Sequence, residues 1–78
     1  QYGNIEVMKM NEITMKTTRG MTTINLRYVS AYTVNKVKGS RLASTRYIID
    51  LHMNSGTIFS SEVSEADYLI FKNKWSEK

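Results

Sequence analysis

The amino-acid sequence changes character once, near residue 60. Residues 1–60 are rich in Thr, Val, Ile and Tyr, which favour strands, whereas residues 61–78 are rich in Glu, Lys, Ala, Leu and aromatic residues, which favour a helix. This order predicts an α+β protein: an antiparallel β-meander of about five to six strands with one C-terminal amphipathic helix packed on the sheet. With 78 residues the chain has room for a single domain, 1–78, with the sheet in 1–60 and the helix in 61–78.

Two stretches show the period of two that is typical of a strand with one buried face. Their apolar positions are Ile24, Leu26 and Tyr28 in the first stretch, and Tyr47, Ile49, Leu51 and Met53 in the second. The phase of the pattern slips after Tyr28, which predicts a β-bulge or bend near Ser30. Asn54-Ser55-Gly56 predicts a short hairpin connection, since Gly accepts a left-handed backbone. A short last strand is then expected at 57–60.

Capping residues and charge order predict the C-terminal helix. Ser60 or Ser61 is expected to cap its N-terminus, with Ser64 as the alternative. Acidic residues come early and lysines late, which complements the helix dipole. One broad apolar stripe is expected to pack on the sheet, and its residues are Val63, Ala66, Leu69, Ile70 and Phe71, with Trp75 one turn beyond Phe71.

The composition is that of an ordinary globular chain, with 41% hydrophobic and 23% charged residues. It has no cysteine and one histidine, so a disulfide or a His-rich metal site within one chain is excluded, and we expect no metal and no small-molecule cofactor. No apolar run approaches the roughly 18 residues of a membrane span. No leader is visible after Gln1, and we expect a cytoplasmic protein without a membrane partner.

The positive charge is concentrated in one predicted hairpin. The net charge is +4, and residues 36–46 alone contribute +4, from Lys36, Lys38, Arg41 and Arg46 without any acid. A solvated loop whose charges give solubility is one interpretation. A second is a nucleic-acid contact in which the cations meet phosphates and the flanking Tyr32 and Tyr47 stack on bases. A third is a protein contact, with Leu42 as an apolar anchor between cations.

The N-terminal strand, predicted from Ile5 to Met10, is apolar on both of its alternating sets. Ile5 and Val7 form one set, and Met8 and Met10 form the other. Such a strand is typical of a surface that is covered on both sides, so these four residues are a possible oligomer interface. The alternative is that they belong to an ordinary core.

Catalytic patterns are weak in this chain. Asp50 and His52 share one strand face, an arrangement in which a carboxylate can orient an imidazole, but no Gly-x-Ser-x-Gly elbow supplies a nucleophile. Gly39 and Gly56 stand alone rather than in a phosphate-binding loop. We therefore interpret Asp50 and His52 as part of a polar row and expect no enzyme activity.

The segment from Ile24 to Trp75, with its strands, its Ser55-Gly56 turn and its capped helix, resembles small bacterial PH-like domains. Four strands followed by a helix are also similar to the Whirly type of single-strand nucleic-acid binder. Both resemblances imply a fold class and assign no function.

The function that these patterns favour is that of a small non-enzymatic binding module. It would act by protein–protein contact or by self-association as a homo-oligomer, and we expect it to be a bacterial or phage accessory protein. The alternative is a nucleic-acid-binding protein that uses the basic sheet face and the 36–46 hairpin.

Overall fold

Two three-stranded antiparallel sheets and one C-terminal helix make up the computed structural model, which describes residues 5–9, 11–41 and 44–77. The first sheet has the order β1-β2-β3, and its strands are Glu6–Lys9, Glu12–Thr17 and Gly20–Asn25. The second has the order β4-β5-β6, and its strands are Val29–Val37, Arg46–Met53 and Ile58–Ser64. Helix α1 is Glu65–Glu77. The predicted α+β class with an antiparallel sheet and a C-terminal helix is confirmed.

The strands form two sheets rather than one meander because the chain turns after β3. Leu26–Tyr28 form a short 3₁₀ helix, and the Asn25 side chain accepts a hydrogen bond of 2.9 Å from the Arg27 backbone N–H. Leu26 is fully buried, whereas Tyr28 is 61% exposed. The predicted strand through Ile24, Leu26 and Tyr28 was therefore too long. The strand ends at Asn25, and Leu26 and Tyr28 belong to the turn that follows.

Strand β6 holds the two sheets together. The Thr18 backbone N–H donates a hydrogen bond of 3.0 Å to the carbonyl of Ser60, and the buried Ser61 hydroxyl donates to the carbonyl of Lys16. Both bonds join the end of β2 to β6. One core therefore fills the space between the sheets, and its fully buried side chains are Ile13, Met15, Leu26, Ile49, Leu51, Val63 and Phe71.

Strand β5 has the predicted inward row. Tyr47, Ile49 and Leu51 are buried, and the partly buried Met53 packs against the same core. The pairing of β4 with β5 shifts register between Val29 and Ala31, which confirms the bulge near Ser30. Gly56 adopts a φ of 96° in the turn before β6, as its position in the hairpin connection predicts.

The helix begins later than expected because β6 continues to Ser64. Val63 is a fully buried strand residue rather than a helix residue. Ser61 bonds to β2, so neither it nor Ser60 caps the helix, and the alternative Ser64 does. The Ser64 hydroxyl accepts a hydrogen bond of 3.3 Å from the Asp67 backbone N–H and donates one of 3.3 Å to the Asp67 carboxylate.

Removal of this cap should weaken the fold. Ser64→Ala is expected to lower the free energy of unfolding by about 0.5–2 kcal/mol, because the Asp67 N–H loses its acceptor. Ser64→Asn, which keeps an acceptor, should remain close to the wild type. Urea unfolding followed by circular dichroism measures both, and an equal loss in the two variants would show that the cap is not the cause.

Candidate interaction surface

The predicted basic hairpin lies at one end of the β4–β5 pair. Lys36 is the penultimate residue of β4, Lys38 and Arg41 lie in the connection that follows, and Arg46 is the first residue of β5. Lys36, Lys38 and Arg41 are exposed, and we call these three residues the basic tip. Leu42, the predicted apolar anchor, lies outside the described residues, so its role stays a prediction.

Arg46 differs from the other cations because the fold supplies it with a carboxylate. Its Nη1 lies 2.7 Å from Oε2 of Glu62, a residue of β6. The two side chains are 34% and 40% exposed, so the pair contributes about 0–1 kcal/mol to stability. Sequence reasoning missed this pair because it placed Glu62 in the helix. The cations of this hairpin without an ion pair to a described carboxylate are therefore those of the basic tip.

Tyr32 and Tyr47 face the helix rather than a ligand. The Tyr32 ring makes edge-to-face contacts with Phe71 and Trp75, both with ring centroids 4.8 Å apart. The Tyr47 ring is buried and stacks on Tyr68, with centroids 4.3 Å apart. Helix residues thus occupy ring surfaces on which bases would stack, so the rings of Tyr32 and Tyr47 pack against α1 in this structure. The alternation that puts Tyr47 in line with Ile49 and Leu51 is the signal that identifies it as a core residue.

The Tyr47 hydroxyl connects the sheet to the start of α1. It donates a hydrogen bond of 3.4 Å to Oε2 of Glu65. Burial, and then the nearby Glu65 charge and this bond, raise the pKa of Tyr47 above its ordinary value of 10.0. The phenol therefore stays neutral at physiological pH and acts as a structural donor.

Strand β4 is an edge strand in the part of the chain that the structure describes. It pairs with β5 on one side and with no described strand on the other. The strand contains no proline, and the basic tip lies at its C-terminal end. A long edge of this kind is a template for a further strand.

The outward face of the second sheet carries the residues that suggested catalysis. The Ser60 hydroxyl donates a hydrogen bond of 2.5 Å to Oδ1 of Asp50, so this carboxylate bonds across to β6 and not along β5 to His52. Among residues 5–9, 11–41 and 44–77, no group of three or more His, Asp or Glu side chains is arranged to hold a metal ion. The polar-row interpretation accounts for the Asp50–Ser60 bond.

Helix α1 has apolar residues on two sides. Phe71 is fully buried and the partly buried Tyr68 and Trp75 pack beside it, whereas Leu69 is 52% and Ile70 37% exposed. Ala66, one turn before Leu69 and Ile70, is also exposed. The predicted single stripe was therefore wrong: we call Ala66, Leu69 and Ile70 the outer face of α1. None of the helices in the described ranges has the length and apolar character needed to cross a bilayer.

The predicted N-terminal interface is described only in part. Ile5 is 5% exposed and belongs to the core of its own chain. The backbone of Val7 is paired with Ile13, and Met8 lies on the same strand β1. Met10 lies outside the described residues. The burial of Ile5 favours the ordinary-core alternative for this residue, and the oligomer interface stays a prediction.

Comparisons with known proteins found no matching family model, no similar curated protein and no similar solved structure.

Proposed function

We propose that this protein is a small non-enzymatic module that works by binding another protein, through the basic tip and the adjoining edge of β4. The single observation that carries the proposal is the exposure of Lys36, Lys38 and Arg41 in a segment without acids, directly at the end of an edge strand. An acidic surface is the chemistry that complements this one.

Nucleic-acid binding is the alternative, because the same cations can meet phosphates. Three observations support a protein partner over it. The rings of Tyr32 and Tyr47 pack against α1, and Arg46 is paired with Glu62. The hairpin then has three other cations, those of the basic tip, which are few for contacts with a series of phosphates.

Self-association is supported by the outer face of α1. Its three apolar residues have the i, i+3, i+4 spacing with which a helix fits into the groove of a partner. The resemblance to PH-like domains stays a prediction and supplies nothing to this proposal.

Charge reversal at the basic tip tests the proposed function. The double variant Lys38→Glu with Arg41→Glu should lose the proteins that the wild type captures from a lysate of its source cells, because attraction becomes repulsion. The matched control is Lys16→Glu with Lys72→Glu, which makes the same change in net charge at two exposed positions outside the tip. This control should capture the same proteins as the wild type.

Labelled single- and double-stranded oligonucleotides decide between the two candidates. A protein-binding module should show no tip-dependent affinity for either one. Binding that falls steeply with salt and disappears in the tip variant would replace the proposal by the nucleic-acid alternative. Protein capture that survives the tip variant would refute the proposed surface.

A further inference from the structure

The direction of the backbone groups in β4 follows from two hydrogen bonds at the end of β5. The Asn54 N–H donates to the carbonyl of Tyr28 at 2.7 Å, toward the β4 side, and the Met53 N–H donates to Thr57 at 2.8 Å, toward the β6 side. Because successive residues of a strand point their N–H groups to opposite sides, the even-numbered residues of β5 bond to β4.

The same alternation assigns the groups of β4. Thr33 lies opposite Asp50 and Asn35 opposite Ile48, so these odd-numbered residues bond to β5. The N–H and C=O groups of Tyr32, Val34 and Lys36 therefore point away from the sheet. Within the described ranges, no strand pairs with that side of β4. The edge thus offers a donor and an acceptor at three alternate residues.

The two faces beside this edge differ in polarity. Tyr32 and Val34 lie opposite Leu51 and Ile49, on the core side, and both are partly buried. Ala31, Thr33 and Asn35 face the other side and are exposed. A strand added beside β4 would therefore be expected to alternate apolar and polar residues.

We propose that the outer edge of β4 receives an extended acidic segment of the partner protein as an added strand. The edge supplies main-chain hydrogen bonds, and the basic tip attracts carboxylates at the end of the added strand that lies beside Val37. This inference rests on the proposed function and specifies the partner segment: extended, acidic and alternately apolar.

Charge favours an acidic segment over a second copy of β4. Strand β4 (Val29–Val37) contains no acidic residue and contributes a cation, Lys36, so a second copy of β4 paired along this edge would bring no carboxylate to the basic tip. An acidic strand supplies the carboxylates that the tip attracts.

A synthetic peptide of nine residues that alternates Glu and Val tests the proposal by fluorescence anisotropy. Lys36→Pro removes an outward N–H and one cation, whereas Lys36→Gln removes the cation alone, so the two variants separate the hydrogen bond from the charge. The proline variant should bind about tenfold more weakly than the glutamine variant, which corresponds to about 1.4 kcal/mol. The same peptide with Lys in place of Glu should not bind.

Amide hydrogen exchange of the wild type gives a readout that needs no variant to fold. Saturation with the acidic peptide should slow exchange at Tyr32, Val34 and Lys36, since only an added strand covers these three N–H groups. Unchanged exchange at all three, equal binding by the two Lys36 variants, or a dimer in solution whose contact protects the same amides would overturn the inference. Unchanged exchange, while protein capture still depends on the basic tip, would remove the β4 edge from the contact and leave the tip as the protein-binding surface of the proposed function.

Discussion

Phe71→Ala should lower the free energy of unfolding by about 3–5 kcal/mol. Phe71 is fully buried, and its ring contacts Tyr32 edge-to-face and lies 6.0 Å from the ring of Trp75. A chain of 78 residues is held by roughly 4–12 kcal/mol, at about 0.05–0.15 kcal/mol per residue. The loss of this one ring therefore removes a large share of the stability, because α1 loses its anchor on the sheet.

The measurement uses the single tryptophan of the chain. Trp75 lies beside Phe71, so its fluorescence reports the release of α1 during urea unfolding. Leu69→Ala, on the outer face of the same helix, is the matched control and should change stability by less than about 0.5 kcal/mol. A similar loss in both variants would contradict the orientation of α1 described above.

Leu26→Ala should lower the free energy of unfolding by about 2–5 kcal/mol, whereas Tyr28→Ala should cost less than about 1 kcal/mol. The difference arises from the 3₁₀ turn between the sheets, which buries Leu26 completely and leaves Tyr28 61% exposed. Both variants keep the backbone groups that bond to Asn11 and Asn54.

Chemical unfolding of this pair distinguishes two sheets from one meander. In a continuous strand Leu26 and Tyr28 would share one face, and their removal would have comparable effects. Equal losses would therefore favour the single meander that the alternation predicts, and unequal losses would favour the turn.

Sequence reasoning succeeded where a pattern has only one structural solution. The row from Tyr47 to Met53 alternates over a full strand, and Gly56 lies where a hairpin requires a positive φ. The slip of phase at Ser30 similarly has no solution except a bulge or a bend.

Sequence reasoning failed where a local side-chain bond, or a contact with a residue distant in sequence, determines where an element ends. The Asn25 side chain caps a turn after β3, although the apolar spacing alone favours a longer strand. Ser61 and Ser64 are equally able to cap a helix, and the choice depends on the Lys16 carbonyl, which occupies the Ser61 hydroxyl. Because the helix was predicted to begin at residue 61, Glu62 was placed in it, and the pair of Glu62 with Arg46 was not predicted.

The basic tip was identified from sequence because charge density needs no tertiary information. The exposed edge of β4 beside the tip was not identified from sequence, because the side of a strand that stays unpaired depends on which strands pair with it. The location of the candidate surface was therefore predictable, and its backbone chemistry was not.

The bond between Ser61 and Lys16 joins residues that are 45 positions apart, and this separation governs the order in which the protein can form. During synthesis, β1, β2 and β3 leave the ribosome while β6 is still to be made. The apolar inner side of the first sheet, with Ile13 and Met15, stays without the cover that β6 provides until β6 has also been made. Contacts between residues this far apart in sequence raise the contact order of the fold, so we expect the core between the two sheets to close late in folding.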